Sequence, residues 1–250
     1  MKRLGIIGGS GLDQMDDLHI VEERAVETPY GRPSSSLLFG EIANREAVFL
    51  PRHGKNHSIP PHRINYRANI CALQKAGVTD ILAFAAVGGI STTSLPGTIV
   101  VPDQLIDYTW GRAHTFFDGD SVDNPAIGNG VRHIDFTAPF CPRLREAVIQ
   151  AAREGNIEIG SRATYAVTQG PRLETAAEID RLEKDGADVV GMTVMPEAAL
   201  AREMDIAYVC IALVVNEAAG RGPGGITMQA ISECLSAIRA DAMQILHHFR

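Results

Sequence analysis

The sequence lacks most of the features that staple, target or anchor a protein. It contains only four cysteines, Cys71, Cys141, Cys210 and Cys234, far apart and without a CxxC pair. A disulfide framework or a cysteine metal site is therefore a poor reading, and no metal is expected. Three of the four lie in apolar segments, as reduced core thiols of a cytoplasmic protein would. No apolar run reaches the ~20 residues of a membrane span. The start, Met1 to Gly8, is too short and too broken by glycine for a signal sequence, and reads as a strand. Positive charge is in the minority: Lys and Arg total 23 against 30 Asp and Glu, a net charge of -7. That argues against a nucleic-acid backbone as partner, though not against a local anion pocket. There is no low-complexity tract, no internal repeat and no linker.

What is present is a regular alternation of apolar runs and helical patterns. With 250 residues, 45% of them hydrophobic, the chain fits one α/β domain spanning 1–250 with a substantial core. Short apolar runs occur at Leu4 to Ile7, Ala47 to Pro51, Asp80 to Ala86, Thr98 to Val101, Ala163 to Val167, Asp188 to Gly191 and Ala207 to Val215. Such continuous runs, separated by helices, mark parallel strands covered on both faces. Helical patterns cover Arg63 to Ala76, Cys141 to Arg153, Thr175 to Lys184 and Pro196 to Met204. A last helix carries Ile231, Cys234, Leu235, Ile238, Ala242, Ile245, Leu246 and Phe249 as an apolar stripe. Asp107 to Asp135 is a long polar excursion holding Tyr108, Trp110, His114, Phe116, Phe117 and His133, a natural surface for a neighbouring subunit.

The chemistry lies where the runs stop, since ligands of open α/β sheets bind outside the carboxyl ends of strands. Gly8-Gly9-Ser10-Gly11 is either a tight turn or a backbone cradle for an anion; it is not the dinucleotide fingerprint, and no P-loop lysine follows. Arg52-His53-Gly54 suits an oxyanion, or opens a solvated basic loop through Lys55, His57 and His62. Further ends carry Gly88-Gly89, Glu174, Thr193 and Asn216. No Ser/His/Asp hydrolase order and no metal cluster emerges. The set combines an anion cradle (Ser10, Arg52, His53, Thr193) with a planar recognition pair (Glu174, Asn216), which suggests a phosphate and a heterocycle.

The motifs Gly8-Gly9-Ser10-Gly11-Leu12, Arg52-His53-Gly54, Asn65-Tyr66-Arg67-Ala68-Asn69, Gly170-Pro171-Arg172-Leu173-Glu174-Thr175 and Met192-Thr193-Val194-Met195-Pro196-Glu197 resemble those of the trimeric purine nucleoside phosphorylase and methylthioadenosine phosphorylase family. The resemblance runs from about Leu4 to the last helix. It implies a nucleoside phosphorylase α/β fold with a mixed central sheet flanked by helices, a homotrimer, and inorganic phosphate as co-substrate with no cofactor. It makes Ser10, Arg52, His53 and Thr193 phosphate ligands, with the backbone of Ala85 and Ala86. Ala85 stands next to a position where the family often has Thr or Asn, so one side-chain contact is missing. Met192 would pack under the ribose and Leu173 against the base, with Glu217 and Ala218 beside it. Asn216 and His53 would be the catalytic pair.

Two positions separate the family's branches. Adenine-using members resemble each other in having Asp where this chain has Asn216, and Ser or Thr where it has Glu174; 6-oxopurine members have Asn and Glu. A 6-oxopurine offers N1–H to a carboxylate and takes an amide N–H at O6, and adenine reverses both edges. Glu174 with Asn216 thus points to hypoxanthine or guanine. At the 5′ end of the sugar, residues 224–229 contain no His, the residue that binds a 5′-hydroxyl in purine nucleoside phosphorylases. Ile226 and Met228 would favour a 5′-methylthio group, whereas Gln229 could serve a hydroxyl. The pattern stands nearest to methylthioinosine phosphorolysis, with a general inosine or guanosine phosphorylase, a methylthioadenosine phosphorylase and a non-catalytic nucleoside-binding protein as alternatives. Glu217 to Gly225 is a candidate lid.

Overall fold

The computed structural model describes residues 3–12, 18–119 and 130–250. Residues 120–129 of the long excursion lie outside the described residues. Two strands explain the rest of the architecture: β5 (Val78–Gly89) and β11 (Ala207–Glu217), counted in chain order. They pair in parallel from Ala207↔Asp80 to Glu217↔Gly89. In β11, Tyr208, Cys210, Ala212 and Val214 enter one core cluster, while Val209, Ile211, Leu213 and Val215 enter the other. Alternate side chains thus pack on opposite faces, and both faces are covered, which is why the sequence is continuously apolar there.

Beside β5 lies β1 (Arg3–Gly8), parallel to it and to β4 (Arg45–Pro51). An antiparallel margin, β3 (Leu37–Ile42) and β2 (His19–Arg24), extends the sheet beyond β4. At the other end of β5 come β10 (Val189–Gly191), antiparallel to it, then β9 (Thr164–Val167) and β7 (Gln104–Asp107). Two short strands, β6 (Ile99–Val100) and β8 (Ile159–Gly160), continue outward from β11. The sheet is therefore mixed. Helices α1 (Tyr66–Lys75) and α4 (Val194–Glu203) pack together over one face. Helices α2 (Pro142–Glu154) and α5 (Met228–His248) cover the opposite face, and α3 (Ala176–Lys184) lies in a third cluster with Ala166 and Val190.

Several boundaries differ from the sequence expectation in ways that matter to function. β5 continues through Gly88 and Gly89, and β11 runs on through Asn216 and Glu217. Asn216 is thus a strand residue, placed after a register shift between Val214 and Asn216 that re-aims its side chain. The strands β2 and β3 were not anticipated. All six residues of β2 are exposed, so its sequence HIVEER carries no buried face to read.

The topology also leaves a break. β11 follows one edge of β5 along nearly its whole length. The opposite edge is taken by β1 as far as Ala83 and by β10 from Gly88. Between them, residues 84–87 have no strand partner on that edge.

Candidate active site

A cleft of about 700 Å³ opens at this break. Its walls come from the carboxyl ends of β1 (Ser10), β4 (Arg52, His53), β5 (Ala85 to Gly88), β10 (Met192, Thr193) and β11 (Val215, Asn216). The loop after β9 adds Leu173 and Glu174, and the start of α5 adds Ile226 and Met228. The fold therefore gathers nearly every expected residue into one place, including Ala218. Two do not arrive. The Glu217 carboxylate lies over Gly222, where an added Cβ would come within 2.2 Å of Oε2, and is not part of the cleft wall. Gln229 is exposed, and its Nε2 donates to Glu233 Oε1 at 2.9 Å, a helical i,i+4 pair outside the cleft. The side of the cleft along α5 is lined instead by Ile226, Met228, Ile231 and Leu235, with Ser232, Ser236 and Arg239 beside them; of these only Ile226 and Met228 were expected in the site, while Ile231 and Leu235 were expected as core.

The glycine stretch forms a tight turn that borders the cleft. Leu12 N–H donates to the Gly9 carbonyl at 3.0 Å, closing a tight turn. A Cβ on Gly9 would fall 2.6 Å from the Phe84 carbonyl oxygen and 2.9 Å from Arg52 Nη1. Only glycine allows that approach, which carries Ser10 to the break in the sheet. Gly170 serves the other wall: its φ is +62°, and a Cβ there would meet Met192 Sδ at 2.5 Å.

Arg52 is held by internal partners. It is fully buried, with Nε and Nη2 each donating at 2.7 Å to the two oxygens of Glu197, and Nη1 donating at 2.7 Å to the Phe84 carbonyl. Burial works against the charge, but the Glu197 carboxylate outweighs it and holds the guanidinium above its ordinary value. Tyr208 donates to the same carboxylate at 2.7 Å. Sequence reasoning passed over Glu197 because it reads as one acid in a helix, and its partners are 145 and 11 residues away.

His53 is buried, stacked on His57 at 4.2 Å, and its Nδ1 lies 2.9 Å from the Ile59 carbonyl. A carbonyl only accepts, so Nδ1 carries the proton and the neutral ring presents Nε2 as an acceptor. Burial, then the Arg52 charge, lower its pKa from 6.5 to about 4. The unfolded chain takes up this proton first, so stability should fall as pH drops from about 6.5 towards about 4 and level off below. The loss attributable to His53 reaches a few kcal/mol at most. We expect His53→Gln to flatten that part of the pH dependence of unfolding; identical wild-type and variant slopes would refute the assignment.

Thr193 caps α4 without using its side chain as the cap, which leaves its buried hydroxyl for the cleft. Arg112, from the long excursion, is a further residue the sequence did not signal. Nearly buried, it donates to the carbonyls of Thr168 (3.2 Å) and Gln169 (2.8 Å) and to those of Met192 (2.8 Å) and Met195 (2.6 Å). It so ties the loop bearing Glu174 to the turn bearing Met192 and Thr193. Asn216 Nδ2 donates to the Glu217 carbonyl at 2.7 Å, which fixes the amide plane and leaves Oδ1 and one N–H. Among the described residues, no group of three or more His, Cys, Asp or Glu is placed to hold a metal ion.

Known proteins are similar to this chain in sequence and in fold. The chain is 49% identical over 245 residues to the probable S-methyl-5′-thioinosine phosphorylase of Pseudomonas syringae pv. tomato, covering 96% of this chain and 97% of that protein. It is 47% identical to the probable 6-oxopurine nucleoside phosphorylase of Thermococcus kodakarensis, covering 98% and 90%. A solved methylthioadenosine phosphorylase from Schistosoma mansoni, in complex with adenine, superposes with a TM-score of 0.93 at 35% identity, covering 99% of this chain and 90% of that one. The sequence profile of the Phosphorylase superfamily matches residues 3–249. This chain belongs to the phosphorylase superfamily.

Proposed function

We propose that the protein cleaves S-methyl-5′-thioinosine with inorganic phosphate, giving hypoxanthine and 5-methylthioribose 1-phosphate. The observation that carries this reading is the presence of Glu174 and Asn216 in one cleft, the acceptor and donor that a 6-oxopurine edge requires. Adenine would leave both partners facing groups of their own kind, and such mismatches discriminate strongly. The 5′ end is supported by Ile226, Met228, Ile231 and Leu235 along the cleft, with Gln229 turned away from it. Burial of a methylthio group there is a hydrophobic gain, whereas a 5′-hydroxyl would lose its water. The names of the Pseudomonas and Thermococcus relatives agree with a 6-oxopurine substrate.

In the mechanism we propose, Ser10, Thr193, His53 and the backbone at Ala85 and Ala86 hold phosphate beside the Arg52 guanidinium. A phosphate oxygen bonds to C1′ as the bond from C1′ to the purine breaks. The electron pair passes into the purine, and Asn216 stabilises the charge at O6 and N7. The proton that phosphate gives up on becoming an ester balances the one gained by the purine. Neutral His53, with Nε2 as acceptor, suits the first half of that exchange. No cofactor enters these steps. The assembly we propose is a homotrimer in the cytoplasm, with Trp110 and Val131 of the excursion, 72% and 77% exposed, as apolar surface for a neighbouring copy.

The test is phosphate-dependent kcat/KM for methylthioinosine, inosine and methylthioadenosine. Methylthioinosine should lead inosine by tenfold or more, about 1.4 kcal/mol. Equal rates with inosine would reject the apolar 5′ pocket, and a lead for methylthioadenosine would reject the roles of Glu174 and Asn216. Release of free sugar without phosphate would reject phosphorolysis itself.

A further inference from the structure

Glu174 borders two hollows, the cleft in front and a smaller one of about 370 Å³ behind, lined by Thr168, Gln169, Arg172 and Glu178. Thr168 belongs only to the rear hollow, and its Oγ1 donates to Glu174 Oε1 at 2.6 Å. We propose that Thr168 is a specificity-determining positioning residue: its hydroxyl holds the Glu174 carboxylate from behind so that an acceptor oxygen faces the purine. The proposal rests on the reading of Glu174 as the base-recognition residue and extends it to a residue that does not touch the substrate.

A threonine hydroxyl has one proton. The alternative acceptor, the Gly191 carbonyl, is 3.4 Å from Oγ1, which is long for an O–H donor. The proton therefore goes to Oε1, and Oε2 is left as the acceptor for a donor on the other side. A free glutamate side chain turns about three bonds and loses that freedom when it binds a base. One pre-formed charge-assisted bond removes much of the loss in advance.

Thr168 can do this because its backbone is fixed twice. Its N–H donates to the Gly191 carbonyl at 2.8 Å, and its own carbonyl accepts from Arg112 Nη2 at 3.2 Å. The base-recognition carboxylate is thus referenced to β10 and to Arg112 rather than to its own loop, where Leu173 and Thr175 on either side are exposed.

The decisive experiment compares wild type with Thr168→Val, Thr168→Ser and Glu174→Ala, using methylthioinosine and methylthioadenosine at saturating phosphate. Thr168→Val keeps the shape and loses the hydroxyl. Its methylthioinosine to methylthioadenosine ratio of kcat/KM should fall by about tenfold to a hundredfold, through KM for methylthioinosine. KM for phosphate should not move, and Thr168→Ser should restore the ratio. A ratio that survives in Thr168→Val but collapses in Glu174→Ala would overturn the role of Thr168 while leaving that of Glu174 intact. A ratio that survives both substitutions would overturn both. Should the valine variant fail to fold, Thr168→Ala removes the same hydroxyl with less bulk and is read in the same way.

Discussion

Replacing Glu197 by Ala should lower stability by about 3–5 kcal/mol, because it leaves the Arg52 guanidinium buried without its partner. For a chain of this size that corresponds to a fall in Tm of roughly 6–20 °C. The expectation follows from geometry: both partners are completely inaccessible, joined by two bonds of 2.7 Å, and the second acceptor of Glu197 also serves Tyr208. Burial and the Glu197 charge push the Tyr208 hydroxyl well above its usual range, so it remains a donor. The companion variant, Arg52→Met with Glu197→Leu and Tyr208→Phe, removes both charges and the hydroxyl that Glu197 serves, and should recover part of the lost stability, the Phe84 carbonyl still lacking its donor. It should not recover phosphorolysis, since the guanidinium proposed to stand beside the phosphate would be gone. Loss of less than about 1 kcal/mol in Glu197→Ala would show that water reaches the pair, contrary to its complete burial.

The second large effect concerns turnover rather than stability. Asn216→Ala should reduce kcat/KM for the 6-oxopurine nucleoside by about a hundredfold to a thousandfold, the usual consequence of removing one fixed donor from the place where charge develops. The fold should lose little, because the amide is only partly buried and makes a single bond, to the adjacent residue. Asn216→Asp is the more incisive change. It exchanges the remaining amide donor for an acceptor and should shift preference towards an amino-bearing purine. A variant with near-normal kcat/KM and unchanged preference would remove Asn216 from the reaction.

These cases show what a sequence exposes and what it hides. β5 and β11 were legible because both faces of each are buried, so nearly every residue is apolar, and their ends were marked by glycines or an amide. Ser10, His53, Thr193 and Asn216 could be named because each follows such a run within a few residues, and Glu174 because it sits in the motif at residues 170–175. The residues that hold them could not. Glu197, Arg112 and Thr168 act on partners that are neighbours only after folding, and nothing in their local sequence separates them from ordinary surface or helix residues. Arg52 shows both limits in one side chain. Its place at the end of β4 was evident, whereas its ion pair with α4 was not. The polar strand β2 was missed for the opposite reason, since it is exposed along its whole length and leaves no pattern.

The interruption along β5 has a further consequence, for colloidal behaviour. Backbone left without a strand partner is ordinarily a hazard, because a strand from another molecule can add to it. Here the open stretch, residues 84–87, is flanked by β1 on one side and β10 on the other, deep in the molecule. A foreign strand, which needs an open edge several residues long, has no such edge there. The sheet can therefore keep a gap in its middle without offering it as a template for aggregation.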